Sequence, residues 1–143
     1  MKKLTGVLLA LALVAGGAEA QEKIKLKVMG LPLATGLIQK NREQPFFETL
    51  AQKTGLPIEV EYKPIDTLGV KDTEQLRMMK SGLFEIVSLR VSQNSRDEPM
   101  LLGLDLVGQN PDYATGRQSS KAWFEPLDAR LQQQFGVKLL GIW

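Results

Sequence analysis

The chain reads Lys23-Ile24-Lys25-Leu26-Lys27-Val28 near its amino terminus, a strict alternation of lysine and aliphatic residues. Because successive side chains of a β-strand point to opposite faces, this period of two puts Ile24, Leu26 and Val28 on one face and the lysines on the other. Gly30 and Pro32 then interrupt the pattern. The stretch therefore predicts a first strand with one apolar face, followed by a loop.

Helical and strand patterns alternate after this strand. A helix is predicted to begin at Pro45, since proline suits the first helical position, and to end at Gly55. An alternating strand follows over residues 58–62. A second helix is predicted to begin at Asp72 as its N-cap. The apolar run over residues 84–89 predicts a third strand, central in the sheet and buried on both faces.

The carboxyl-terminal third of the chain predicts two helices and a last strand. The first helix covers residues 113–124, the second restarts at Pro126 and ends at Gly136, and the strand covers residues 137–143. Strands separated by helical crossovers favour right-handed parallel units. The predicted fold class is therefore α/β, with an open, mostly parallel sheet and flanking helices. A ligand is expected beyond the carboxyl ends of the strands.

The first residues of the chain have the organisation of an export signal. Lys2 and Lys3 precede an apolar run over residues 4–14, and Ala18-Glu19-Ala20 forms an A-x-A cleavage site. The run is too short to cross a hydrocarbon core, which takes about 20 apolar residues. The sequence predicts a cleaved signal peptide over residues 1–20 and a periplasmic product.

Composition narrows the classes of function. The chain contains no histidine and no cysteine, which removes the commonest general base, the nucleophile systems that depend on histidine and nearly every transition-metal site. Its 18 basic and 16 acidic residues are interspersed, so no basic patch for nucleic acid is present. We expect no catalysis, no metal or other cofactor and no nucleic-acid partner. A hydrolase that uses a pair of carboxylates stays open as an alternative.

Six motifs follow one another between residues 21 and 143. They are Pro45-Phe46-Phe47-Glu48-Thr49-Leu50-Ala51-Gln52-Lys53-Thr54-Gly55, Ile58-Glu59-Val60-Glu61-Tyr62, Leu68-Gly69, Met79-Lys80-Ser81-Gly82, Phe84-Glu85-Ile86 and Phe135-Gly136-Val137-Lys138-Leu139-Leu140-Gly141. In order and spacing this series resembles the DctP-type solute receptors of tripartite ATP-independent periplasmic (TRAP) transporters.

The resemblance implies a type II-like periplasmic binding protein that captures a small organic solute, a carboxylate, for the membrane subunits of a TRAP-type permease. Receptors of this family have two lobes around a cleft, so the resemblance makes residues 21–143 the amino-terminal lobe, with the second lobe absent. A different interpretation stays open if this chain functions without a second lobe. The protein would then be a stand-alone periplasmic sensor or accessory domain that binds a protein partner.

Five polar residues follow the predicted strands where the resemblance implies ligand contacts: Thr35, Asp72, Arg90, Ser92 and Gln93. Arginine is the side chain best shaped to hold a carboxylate by two hydrogen bonds. Four of the five also have a purely structural interpretation. Asp72 can cap its helix, and Arg90 can pair with Asp97 or Glu98 on the surface. Thr35 and Ser92 can bond their own loop backbone.

We predict that the exported product begins at Gln21. Intact-mass measurement of the protein in periplasmic extract should show the loss of residues 1–20, whereas an Ala20→Leu variant, which violates the small-residue requirement of the cleavage site, should keep them. Detection of the uncleaved chain only in the cytosol would contradict the export prediction.

Overall fold

The computed structural model describes residues 22–142. The predicted signal peptide over residues 1–20 therefore lies outside the described residues, as does Trp143. Between residues 22 and 142, no helix combines the length and apolar character that crossing a membrane requires.

Three parallel strands form an open sheet in the order β2-β1-β3. They are β1 (Ile24–Gly30), β2 (Ile58–Pro64) and β3 (Ile86–Val87). β1 is the central strand: it pairs with β2 along its whole length and with β3 through Val28 and Met29. Both residues are completely buried, whereas Ile24 is 46 % exposed. The α/β class with an open parallel sheet is confirmed, but only the carboxyl half of β1 lies in the core.

The third strand is shorter than predicted and lies at an edge of the described sheet. Only Ile86 and Val87 are in β3, and both are half-buried, so the expectation of a central strand buried on both faces is wrong. Backbone bonds to β1 extend one residue further on each side, from Glu85 to Lys27 and from Ser88 to Met29. Beyond Ser88 the chain turns away from β1.

The helical region after β1 begins before Pro45. A π-helical turn, Gln39–Glu43, runs directly into α1 (Gln44–Glu48), and α2 (Leu50–Thr54) follows. The wide turn precedes a proline, which has no N–H for a regular helical bond and whose ring clashes with the carbonyl four residues back. Gly55 ends the region as predicted, with a left-handed backbone.

The next helix, α3 (Gln75–Lys80), is preceded by a 3-10 turn, Asp72–Glu74. The turn before α3 is closed by Glu74, whose carboxylate accepts a hydrogen bond from the Lys71 N–H at 3.1 Å. The prediction of Asp72 as the N-cap is therefore wrong. Asp72 lies inside the turn, and its carboxylate is directed to a different partner.

One long helix, α4 (Tyr113–Phe135), replaces the two that were predicted. Asp112 caps it by accepting from the Thr115 N–H at 2.8 Å, and this bond lowers the pKa of Asp112. The helix passes through Pro126 without a break. A proline inside a helix costs about 3 kcal/mol, but Trp123 and Leu127 pack on the core on either side of it.

A core cluster lies where α3 and α4 pack together. Four leucines are almost fully buried there: Leu76, Leu101, Leu127 and Leu131. Leu101 belongs to a 3-10 helix, Pro99–Leu104, which contacts α4. Phe135 of α4 is half-buried beside these leucines.

The segment after α4 is not the predicted strand, because residues 137–142 have no regular secondary structure. Asp128 of α4 holds this segment. Its Oδ1 accepts from the Leu139 N–H at 2.8 Å, and its Oδ2 accepts from Lys138 Nζ and Gln132 Nε2, both at 2.8 Å. A backbone donor that a sheet would use is thereby taken by a side chain. The bond from Lys138 is the first cause of a lowered pKa at Asp128.

We predict that Asp128→Asn lowers the free energy of unfolding at neutral pH. Because the native pKa of Asp128 lies below its ordinary value of 3.8, the carboxylate stabilises the fold above that pH and loses its contribution as the pH falls through the native pKa. Urea unfolding should show the two proteins converging at low pH. Asp105→Asn removes an exposed carboxylate that has no hydrogen bond among the described residues, and it should change little. A pH-independent deficit for Asp128→Asn would contradict the assignment.

Candidate functional site

The carboxyl ends of the three strands lie at one edge of the sheet, where open parallel sheets bind their ligands. The segment after β1 is tied to the segment after β2 by the Leu33 N–H, which donates to the Asp66 carboxylate at 2.9 Å. The 3-10 turn Asp72–Glu74, after β2, contacts the 3-10 turn Ser92–Asn94, after β3. Candidate residues from two of the loops are thus brought to neighbouring positions.

Arg90 and Asp72 form an ion pair at this edge. Arg90 Nη1 donates to Asp72 Oδ2 at 2.8 Å, and the two side chains are 42 % and 21 % exposed. The expectation that Arg90 would pair with Asp97 or Glu98 is wrong. Those two carboxylates are bound by other arginines, Arg77 and Arg130 respectively.

Two buried amide side chains hold the backbone of Arg90. The Arg90 N–H donates to Gln75 Oε1 at 3.3 Å, and the Arg90 carbonyl accepts from Asn94 Nδ2 at 3.0 Å. Asn94 Nδ2 also donates to Gln75 Oε1 at 3.1 Å, and Gln75 Nε2 donates to the Ser88 carbonyl at 2.8 Å. Gln75 and Asn94 are almost completely buried. The position of Arg90 is therefore fixed from inside the protein.

Sequence reasoning missed both amides. Neither Gln75 nor Asn94 was among the candidate residues. A signal was available at Gln75, which shares a helix face with Met79 one turn later and adjoins the core residue Leu76. Asn94 sits in a polar loop, and its burial depends on the turn that brings it under Arg90.

A second polar cluster lies at the ends of β1 and β2. Glu43 Oε2 accepts from the Leu31 N–H and from the Tyr62 hydroxyl, both at 2.8 Å, and Tyr62 also accepts from Gln39 Nε2 at 3.0 Å. Burial, together with the Glu43 carboxylate, raises the pKa of Tyr62. The Tyr62 ring lies so close over Gly30 that any Cβ there would collide with it. This cluster shapes the loop after β1, and it was not predicted.

The other candidate residues do not join the ion pair through hydrogen bonds. The Thr35 hydroxyl donates to the Pro32 carbonyl at 2.6 Å, which confirms the interpretation that it bonds its own loop. Ser92 is half-buried and uses its carbonyl to accept from the Ser95 hydroxyl at 2.8 Å. Gln93 is exposed. In the described part of the chain, the side chains of Ser92 and Gln93 have no hydrogen-bond partner.

A large cavity lies elsewhere on the described residues. It is an open groove of about 1060 Å³ between the amino-terminal half of α4 and Ile142, with Tyr113 and Phe124 in its wall. Trp123 does not line it. Its indole donates to the Met100 carbonyl at 3.0 Å and packs on the core.

The site has little chemistry besides charge and hydrogen bonding. Within residues 22–142, no group of three acidic side chains lies close enough together to hold a metal ion. Comparison of the chain with family models, with curated proteins and with solved structures finds no match. What the strand ends offer is a fixed guanidinium beside a carboxylate.

We predict that Gln75→Leu destabilises the protein by about 2–6 kcal/mol. It leaves the Arg90 N–H and the Ser88 carbonyl, both partly buried, without their partner, at about 1–3 kcal/mol for each group. Urea unfolding measures the change. Gln133→Leu makes the same substitution at an exposed position of α4 and should alter stability by less than about 0.5 kcal/mol. Equal midpoints for the two variants would show that the buried amide is not needed.

Proposed function

We propose that this protein captures a small organic carboxylate in the periplasm and delivers it to the membrane subunits of a TRAP-type permease. The observation that carries the proposal is Arg90, a partly exposed guanidinium at the carboxyl edge of a parallel sheet, with its backbone clamped by Gln75 and Asn94. The series of sequence motifs from residue 45 to residue 141 supports the same class of receptor.

The hydrogen bonds of Arg90 leave room for a ligand. Among the described residues only its Nη1 has a partner, Asp72, so Nε and Nη2 remain to donate. Arg77 shows the contrast. It binds Asp97 through both Nε, at 3.1 Å, and Nη2, at 3.0 Å. A guanidinium with only one nitrogen in a hydrogen bond can still bind a further carboxylate. A guanidinium that already binds one carboxylate through two nitrogens is less suited to this.

Location and transport partner follow from the sequence within this proposal. The signal-like residues 1–20 favour export, and the resemblance to TRAP receptors favours a permease as the partner. We propose no catalytic role, because the chain has neither histidine nor cysteine to serve as base or nucleophile.

We predict that Arg90→Ala weakens binding of a carboxylate solute by about 10- to 100-fold, the effect of losing a charge-assisted hydrogen bond of about 1.5–3 kcal/mol. Stability should fall by at most about 1 kcal/mol, because the ion pair with Asp72 is partly exposed. Calorimetric titration with a panel of organic acids, alongside thermal unfolding, measures both effects.

Arg77→Ala is the matched control for this experiment. It removes another arginine of an ion pair, on α3, and should leave the affinity unchanged. Unchanged affinity in Arg90→Ala, together with a clear loss of melting temperature, would make Arg90 a structural residue.

A second candidate is a periplasmic domain that binds a protein partner. The open groove along α4 favours it, since Tyr113 at its rim is 89 % exposed and large apolar surfaces mark interaction sites. The two functions predict different maps of loss-of-function substitutions. Solute capture centres on Arg90, and partner binding centres on Tyr113.

A further inference from the structure

We propose that the solute is a carboxylate with a hydrogen-bond donor, an amino or hydroxyl group, on the carbon next to the carboxyl, and that Asp72 recognises this donor. The inference rests on the proposed function of Arg90 and narrows the class of ligand. It starts from the free atoms of the ion pair.

The ion pair presents a donor surface directly beside an acceptor. Asp72 uses Oδ2 for Arg90 at 2.8 Å, and its Oδ1 has no hydrogen bond among the described residues. Arg90 keeps Nε and Nη2 for donation. A ligand that matches both partners has an acceptor carboxylate and, one or two bonds away, a donor.

The negative charge of Asp72 disfavours binding of acids that lack the hydrogen-bond donor. A carboxylate bound to Arg90 comes close to the Asp72 carboxylate, and like charges in a partly desolvated site repel. A ligand donor that bonds Asp72 Oδ1 offsets this repulsion, most strongly when the donor is an ammonium group. Asp72 therefore acts against acids that lack the donor, and specificity of this kind is produced by a repulsive element as well as an attractive one.

Both members of the pair are held in place. Arg90 is clamped through its backbone N–H and carbonyl by Gln75 and Asn94. Asp72 lies in a turn closed by the bond between Lys71 and Glu74 and in contact with the turn that follows Arg90. A pair fixed in this way keeps its donor and acceptor at one spacing, which lets it distinguish ligands by the position of a single group.

Two matched series of acids test the inference on the purified protein. The three-carbon series is propionate, L-lactate and L-alanine, and the four-carbon series is succinate, L-malate and L-aspartate. Within each series only the substituent on carbon 2 differs. Titration followed by the NMR signals of the Arg90 and Asp72 backbone amides should show the substituted acids binding about 10-fold tighter than the unsubstituted one. The lactate and alanine arms separate a hydroxyl from an ammonium donor.

Two variants assign the preference to Asp72. Asp72→Ala should strengthen binding of propionate and remove the preference for the substituted acids. Glu74→Gln removes an exposed negative charge from the same turn but keeps a side-chain oxygen that can accept from the Lys71 N–H, so it should keep the preference and controls for general electrostatics.

Three results are distinguishable. A preference lost in Asp72→Ala and kept in Glu74→Gln supports the inference. Equal binding of all members of a series, unaltered by Asp72→Ala, overturns the role of Asp72 and leaves Arg90 as a carboxylate site. Failure of every acid in both series to bind the unmodified protein overturns the proposed function together with this inference.

Discussion

Backbone N–H and carbonyl groups beyond the end of a strand need hydrogen-bond partners outside the sheet. Beyond β3, the side chain of Gln75 is such a partner. The Gln75 amide bonds the carbonyl of Ser88 and the N–H of Arg90, so it continues the pairing that β1 stops providing. Gln75 itself is completely buried, and the two bonds that it makes are partly buried. The geometry of the loop after β3 depends on this one amide, and the position of Arg90 depends on that loop.

A buried side chain also binds the backbone just after β1. Glu43, buried in the π-helical turn, accepts from the Leu31 N–H just after the strand ends. The loops after β1 and after β3 are therefore each held by a buried polar side chain from a helical segment. Such anchoring gives the edge a defined shape although it consists of irregular backbone.

Local patterns of sequence carried the class of the fold. The alternation around Leu26 and Val60 predicted two strands, and the glycines at 55 and 136 predicted two helix ends, because period and backbone freedom are properties of a few adjacent residues. The predictions failed where the structure of a segment depends on contacts with residues outside that segment. Pro126 stays within a helix because residues on both sides reach the core, and the segment after Gly136 is not a strand because Asp128 takes its backbone donor.

The candidate site divides in the same way. Position beyond a strand selected Arg90, since the topology of a parallel sheet fixes where its strands end. Asp72, at the head of the second helix, was selected by the resemblance to TRAP receptors. The pairing of these two residues could not be predicted, because it depends on how two 3-10 turns approach each other in space. Gln75 and Asn94 were missed since polar side chains are normally exposed, and nothing local states that these two are buried.

The brevity of β3 also bears on self-association. A long, flat edge strand offers unpaired backbone groups to another molecule, and natural proteins avoid this with short edges and charged side chains. β3 has only two residues, and β2 carries exposed Glu59, Glu61 and Lys63 along its length. The described sheet is thus a poor template for intermolecular strand addition.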